Sequence, residues 1–445
     1  MRSLPTELVD HCLLHVRYGW EDDIPYRSTT DGDLKSCSLV CRSWRTLAQA
    51  YLFHDFFYPF TKAENHDSMR VETSYGELAS AVDPPPTLEA LRVFLCAHPH
   101  LASRIRIMHL QSDSRELDFE TSLPDHSVDQ SLFATLLSLL PRLQQLFLCN
   151  VVLEATRPAD ELHMLPSLQA LTLHYGEEYD YVAAEDLQKI VASFAQIDKL
   201  ALATSSYIQT IQAPENELSP LPRPVNVQHI VLPELGRVSA PLLVDVLSRT
   251  VQMPQLRRLD IPSESADYQG IVNALSHGLE ELHLNLEPFY VDFWERGPDD
   301  IGLDIGSCQM LQKLYIAFSI GGHSVTDCWR FHVQNICAFI RQAGFSAHAF
   351  PHLRTFVIRL GVSDTESSRV PQPALAKPLD EAFASLVRET TLHSVTFEWV
   401  RGGESWERLE DDAFADYIYK TFPVLRSKNA VFIQAPTGEE GGSSV

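Results

Sequence analysis

Apolar positions along the chain fall into two regimes. Over residues 1–55, Leu8, Val9, Cys12, Leu13 and Val16 recur at helical spacing. So do Leu34, Cys37, Ser38 and Cys41, and then Trp44, Leu47, Ala48, Tyr51 and Leu52. Each set lies on one face of a helix, so the spacing predicts three short helices. Pro5 suits a first helical turn, whose N–H groups have no partner, and Glu7 suits the positive end of the helix dipole. Three helices of this size bury too little to stand alone, which implies a partner or a second domain.

From Thr87 the period changes. A Leu-x-x-Leu-x-Leu frame recurs at Ile105/Met108/Leu110, Leu143/Leu146/Leu148, Leu168/Leu171/Leu173, Ile197/Leu200/Leu202 and Val227/Ile230/Leu232. It continues at Leu256/Leu259/Ile261, Leu279/Leu282/Leu284, Leu311/Leu314/Ile316, Leu353/Phe356/Ile358 and Leu392/Val395/Phe397. Amphipathic stretches at Leu132–Leu140, Leu187–Phe194, Leu242–Leu247, Phe331–Ile340 and Phe383–Val387 separate them. Strand and helix therefore alternate, and the expected class is α/β: an irregular leucine-rich-repeat solenoid with a parallel sheet over residues 87–435. A doubly wound α/β domain alternates in the same way and is the competing reading. Val151, Gly176, Ser205 and Glu287 stand where the repeat carries Asn or Cys, so no asparagine ladder is expected.

Leu52–Tyr58 is β-prone and predicts a rigid joint, with residues 56–86 as joint and linker and Pro84-Pro85-Pro86 closing a polar loop. Two insertions interrupt the repeats, at Glu287–Ile305 and at Ser363–Pro378. Phe289, Tyr290, Phe293 and Trp294 in the first are either a binding anchor or core filler. Asp412–Tyr419 predicts a helix, Ala430–Ile433 a closing strand, and residues 436–445 a disordered tail.

Side chains alternate along a strand, so the last two named positions of each frame point inward and the residue between them outward. That puts His109, Phe147, Thr172, Ala201, Val231, Asp260, His283, Tyr315, Val357 and Thr396 on one outer face. His174, Asn285, Arg359 and Glu398 follow one step on. Phe147, His174, Asp260, His283, Tyr315 and Arg359 are the candidate recognition residues, because aromatic, imidazole and charged groups exceed what a solvated face needs.

Charge and chemistry narrow the function. Over 445 residues the net charge is −24, which argues against nucleic acid and anionic membranes as partners. No run reaches the length of a membrane span, and no secretory signal is expected. Eight scattered Cys read as reduced, buried thiols of a cytoplasmic or nuclear protein. No phosphate loop, dinucleotide fingerprint, nucleophile elbow, zincin motif or Cys-x-x-Cys occurs. His11/His15 have chelating spacing without a third ligand nearby, and His98-Pro99-His100 reads as a turn. No catalytic residue, cofactor or metal is expected, although a Cys/His or carboxylate pair can still meet in space.

Leu4-Pro5-Thr6-Glu7-Leu8 followed by Leu39-Val40-Cys41-Arg42-Ser43-Trp44 resembles an F-box in its fungal form, over about the first fifty-five residues. The repeats resemble the leucine-rich region that often follows it. The resemblance implies docking on the Skp-type adaptor of a cullin–RING ubiquitin ligase. Leu4, Pro5 and Leu8 would be adaptor contacts, and Leu13, Leu39, Val40 and Trp44 interface or its immediate support. Cys12 replaces the usual large aliphatic residue, and Tyr18–Asp33 is longer and more acidic than the usual link. The implied protein is a non-catalytic receptor that also binds a target protein through the repeats. A repeat scaffold without ligase function, or a hydrolase or transferase with its site on the sheet edge, are the alternatives.

Overall fold

The structure is a computed structural model. It describes residues 9, 13, 34–60, 87–112, 127–154, 167–175, 182–204, 211–212, 221, 223–233, 239–262, 268–285, 303–320, 325–362, 373–400 and 411–434. The fold is mixed α/β. Its large parallel sheet has twelve strands whose order follows the sequence. They are β1 (Asp55–Phe60), β2 (Ile107–Ser112), β3 (Gln145–Cys149), β4 (Leu168–Tyr175), β5 (Gln196–Thr204), β6 (Asn226–Val231), β7 (Arg258–Ile261), β8 (Glu281–Asn285), β9 (Lys313–Ile320), β10 (Thr355–Val362), β11 (Val395–Val400) and β12 (Val431–Gln434). Two compact units divide the chain, Met1–Asp180 with Asp186–Asp198 and Tyr181–Glu185 with Lys199–Val445.

The first unit begins with the helical module. Val9, Leu13, Leu34 and Ala48 form its core, and Cys37, Trp44, Leu47, Tyr51 and Leu52 pack against it. Residues 34–38 are helical, Leu39 and Val40 form a turn, and α1 (Arg42–Leu52) follows. The break corrects the expected stripe: Cys41 is the extended residue before α1 and is exposed, so it does not pack the module. The apolar run predicted to begin at Leu52 becomes a strand only at Asp55, since Leu52 still belongs to α1. Pro59 within β1 is tolerated because β1 stands at an end of the strand order.

The joint is tightly held. The His54 carbonyl accepts the N–H groups of Arg106 and Ile107, both at 2.9 Å. Arg104 Nη1 donates to the Thr46 carbonyl at 2.7 Å. Phe53 stacks on Phe56 at 5.8 Å and on Phe94 of α2 (Leu88–Ala97) at 6.4 Å. α2 forms because Leu88, Leu91 and Leu95 share one buried face and the Thr87 hydroxyl caps Ala90 N–H. α3 (Gln130–Ser138) is capped by Asp129, which accepts from the N–H groups of Ser131 and Leu132.

The second unit repeats one step. Arg257 O accepts from Glu280 and Glu281, Glu280 O from Gln312 and Lys313, and Gln312 O from Arg354 and Thr355. The first unit uses the same device at Arg106 O and Gln144 O. Each carbonyl just before one strand thus sets the register of the next, and equivalent frame positions line up: Leu259, Leu282, Leu314 and Phe356 fall in one row. That row and the next inward one, Ile261, Leu284, Ile316 and Ile358, are buried throughout. Alternate positions on β7 and β8 are half-buried, so at these strands one face of the sheet is packed and the other is partly open.

Between the strands run α4 (Ser239–Thr250), α5 (Gln269–Leu275), α6 (Val325–Ala343) and α7 (Lys377–Glu389), of which α6 packs Trp329 on Phe318 and α7 packs Phe383 on the inward Phe356 and Phe397. α6 is longer than its apolar stripe predicts and ends at Gly344, whose φ of +59° suits a residue without Cβ. Ser363–Pro378 is not wholly an insertion, because Pro373–Ala376 forms a 3₁₀ turn with Ala376 buried, and α7 starts at Lys377. Phe356, Phe383, Phe397 and Phe422 join in one aromatic core, with ring centroids 4.6–6.3 Å apart. α8 (Asp411–Thr421), α9 (Pro423–Ser427) and β12 close the unit. Leu4, Pro5, Leu8, Tyr18–Asp33, the 61–86 linker, Phe289–Trp294 and the C-terminal tail lie outside the described residues.

Candidate recognition surface

The partly open sheet face of the second unit carries a polar cluster. Asp260 on β7, His283 on β8 and Tyr315 on β9 occupy one register row. Parallel pairing about 4.8 Å apart forces such residues side by side. His283 and Tyr315 stack at 3.9 Å between centroids. Asp260 accepts from Arg258 through both oxygens, at 3.0 and 3.2 Å, and His229 Nε2 lies 3.1 Å from Oδ1. Arg258 Nη2 also reaches His283 Nδ1 at 3.4 Å.

This crowding fixes the charges. Burial alone would raise the Asp260 carboxyl, but hydrogen bonds from His229 and Arg258 and the nearby imidazoles hold it well below the usual carboxylate range. Burial pushes His283 down to about 3, with the Arg258 cation opposing protonation further, so at neutral pH its ring is uncharged. Burial likewise raises the Tyr315 phenol, which keeps its proton. Flanking pairs complete the surface: Lys313 with Glu281 at 2.5 Å, and Arg359 with Glu398 through Nε and Nη2 at 3.2 and 3.1 Å. Such a face offers flat rings and paired charges, which suit stacking and hydrogen bonding to a partner.

Of the six predicted residues, Asp260, His283 and Tyr315 come together in one row, and Arg359 lies on the same face, opposite Glu398. Val357 and Thr396 continue the register row of Tyr315, as the alternation predicts, but are covered there, at 2 % and 9 % exposure. Arg258, Glu281, Lys313 and His229 were missed. Their signal is the same alternation extended by two residues toward each strand's start.

The face of the first unit is more aromatic. Phe147 stacks on His109 at 4.3 Å with a 5° interplanar angle, and His109 Nε2 lies 3.1 Å from Asp55. His174 stands next to Cys149, with its Nδ1 3.4 Å from the sulfur. Cys149 is half-buried and Cys96 exposed, which corrects the expectation of mostly buried thiols; Cys308 is buried as expected.

On the helical module, Leu39 and Val40 are 77 % and 63 % exposed, whereas Leu13 is fully buried and Trp44 half-buried against the core. Leu13 therefore supports the module from within. Among the described residues no helix is long and apolar enough to cross a membrane, and no group of three or more His, Cys, Asp or Glu is placed to hold a metal ion. Comparison with protein-family models and with curated proteins returns no match.

Proposed function

We propose that this chain is the substrate-recognition subunit of a cullin–RING ubiquitin ligase: an F-box on a leucine-rich-repeat solenoid, with no active site of its own. The observation that carries the reading is the Leu39–Val40 turn. Two large aliphatic side chains stand in solvent on a module whose own core is already closed around Leu13, Leu34 and Ala48. Adjacent exposed aliphatic residues suit a docking point, and these two fall within the Leu39–Trp44 motif that resembles the adaptor-binding segment. The solenoid reading is supported by strand order that follows the sequence and by a sheet packed on one face. A doubly wound sheet would reverse its strand order and cover both faces.

The mechanism is positional. The module holds the adaptor and its cullin, the outer sheet faces hold a target protein, and the joint from Phe53 to β1 fixes the module to its first repeats. Fixed geometry raises the effective concentration of a target lysine at the ubiquitin-loaded enzyme. The test is affinity purification of the full chain under proteasome inhibition. Co-purification of a Skp-type adaptor and a cullin supports the reading, and recovery of the chain without either refutes it.

A further inference from the structure

The Cys149–His174 contact is independent of the ligase reading and has a chemistry of its own. Cys149 ends β3 on the partly open face, in register with Gln111 on one side and His174 on the other. The next residue, Asn150, turns the chain with φ of 57°, and its N–H donates to the His174 carbonyl at 2.9 Å. Backbone and ladder thus fix the thiol beside the ring, with Sγ 3.4 Å from Nδ1. Burial lowers the His174 imidazole below its ordinary value, so near neutral pH it is an uncharged base able to take a thiol proton. With the ring proton on Nε2, Nδ1 accepts from the thiol.

An aromatic shelf lies two residues back on the same face. Phe147 and His109 stack in parallel, and Phe57, 51 % exposed, is paired in register with His109. A flat apolar group resting on this shelf would bring an attached reactive carbon to Cys149. A structural metal needs a third ligand, and none is placed among the described residues.

We propose that Cys149 and His174 form a thiol–imidazole pair that is covalently modified by flat α,β-unsaturated carbonyl compounds. Nδ1 takes the thiol proton and Sγ forms a bond to the β carbon. The alkene π pair shifts to give the enolate, and the proton passes from the imidazolium to the α carbon. No oxidant or reductant is consumed.

The test uses the full chain with substoichiometric N-ethylmaleimide and peptide mass mapping. Cys149 is expected to react about tenfold faster than the exposed Cys96 at pH 7, because an adjacent base raises the reactive fraction of a thiol. His174→Gln is expected to bring Cys149 down to the Cys96 rate or below, with the melting temperature unchanged. A second measurement needs no variant: the ratio of the Cys149 rate to the Cys96 rate should fall as acid protonates His174, because the protonated ring can no longer take the thiol proton. N-phenylmaleimide should widen the preference for Cys149, and Phe147→Leu should remove that widening. Equal rates and coincident profiles for Cys149 and Cys96, or an advantage that survives His174→Gln, overturn the proposal.

Discussion

His283 and Tyr315 lie ring against ring, 3.9 Å between centroids, on neighbouring strands at one register position. Burial of the imidazole and the Arg258 cation at its Nδ1 outweigh the opposing pull of the Asp260 carboxylate, and the ring resists protonation down to about 3. An unfolded His takes up a proton near 6.5, so below that pH the unfolded state binds protons that the folded state refuses. Stability should therefore be full above pH 6.5 and fall as the pH drops toward 4, by on the order of a few kcal/mol. The depressed Asp260 carboxyl adds its own loss only near and below its ordinary value of 3.8. Denaturant midpoints at pH 7.5, 6 and 5 check this, with His283→Gln expected to flatten the decline.

Phe383 joins Phe356, Phe397 and Phe422 in the core of the second unit and is fully buried. Phe383→Ala removes all three ring contacts and leaves a cavity, with an expected cost of about 3–5 kcal/mol. Urea unfolding followed by a probe in the second unit measures it. A loss under about 1 kcal/mol would mean that the core collapses to fill the gap.

Asp380 is buried and its carboxylate accepts from Val424 N–H at 2.8 Å and Leu425 N–H at 3.0 Å. It caps α9 from a distant helix. Asp380→Ala should cost about 2 kcal/mol through the lost cap and the buried, unpaired Leu425 N–H, and Asp380→Asn less, since one acceptor remains. Hydrogen exchange should rise first in residues 423–434.

The inward rows were legible because one rule governs them: every frame residue on β7 to β10 faces the packed side, and the Leu-x-x-Leu-x-Leu spacing states that directly. The outer face was legible only in part. Alternation places Asp260, His283 and Tyr315 side by side, but spacing carries no information about which charges pair, so the Arg258 fork on Asp260 was not foreseen. Val357 takes its predicted place in the Tyr315 row but is covered, because alternation fixes direction and not cover. In the helical module the helical period was read straight through Leu39 and Val40, although the chain turns there and restarts its helix at Arg42. Cys149 and His174 are distant in sequence and meet through strand pairing.

If the outer face of the second unit holds the target, His283→Ala with Tyr315→Ala should weaken target capture about tenfold or more, since truncated aromatic anchors cost 1–2 kcal/mol or more. Adaptor binding should not change. Target capture unaffected by this pair but lost on deletion of Phe289–Trp294 would move recognition to that segment.

The Leu39–Val40 turn is the proposed adaptor contact on which ligase assembly depends. The decisive measurement is the affinity of the purified full chain for a Skp-type adaptor, compared with Leu39→Ser/Val40→Ser. Both side chains are already in solvent, so the variant should keep the wild-type melting temperature. The account predicts tight binding by the wild type and a loss of about a hundredfold in the variant, from two apolar anchors at about 1–2 kcal/mol each. Adaptor binding absent from the wild type, or equal in the variant, would contradict it.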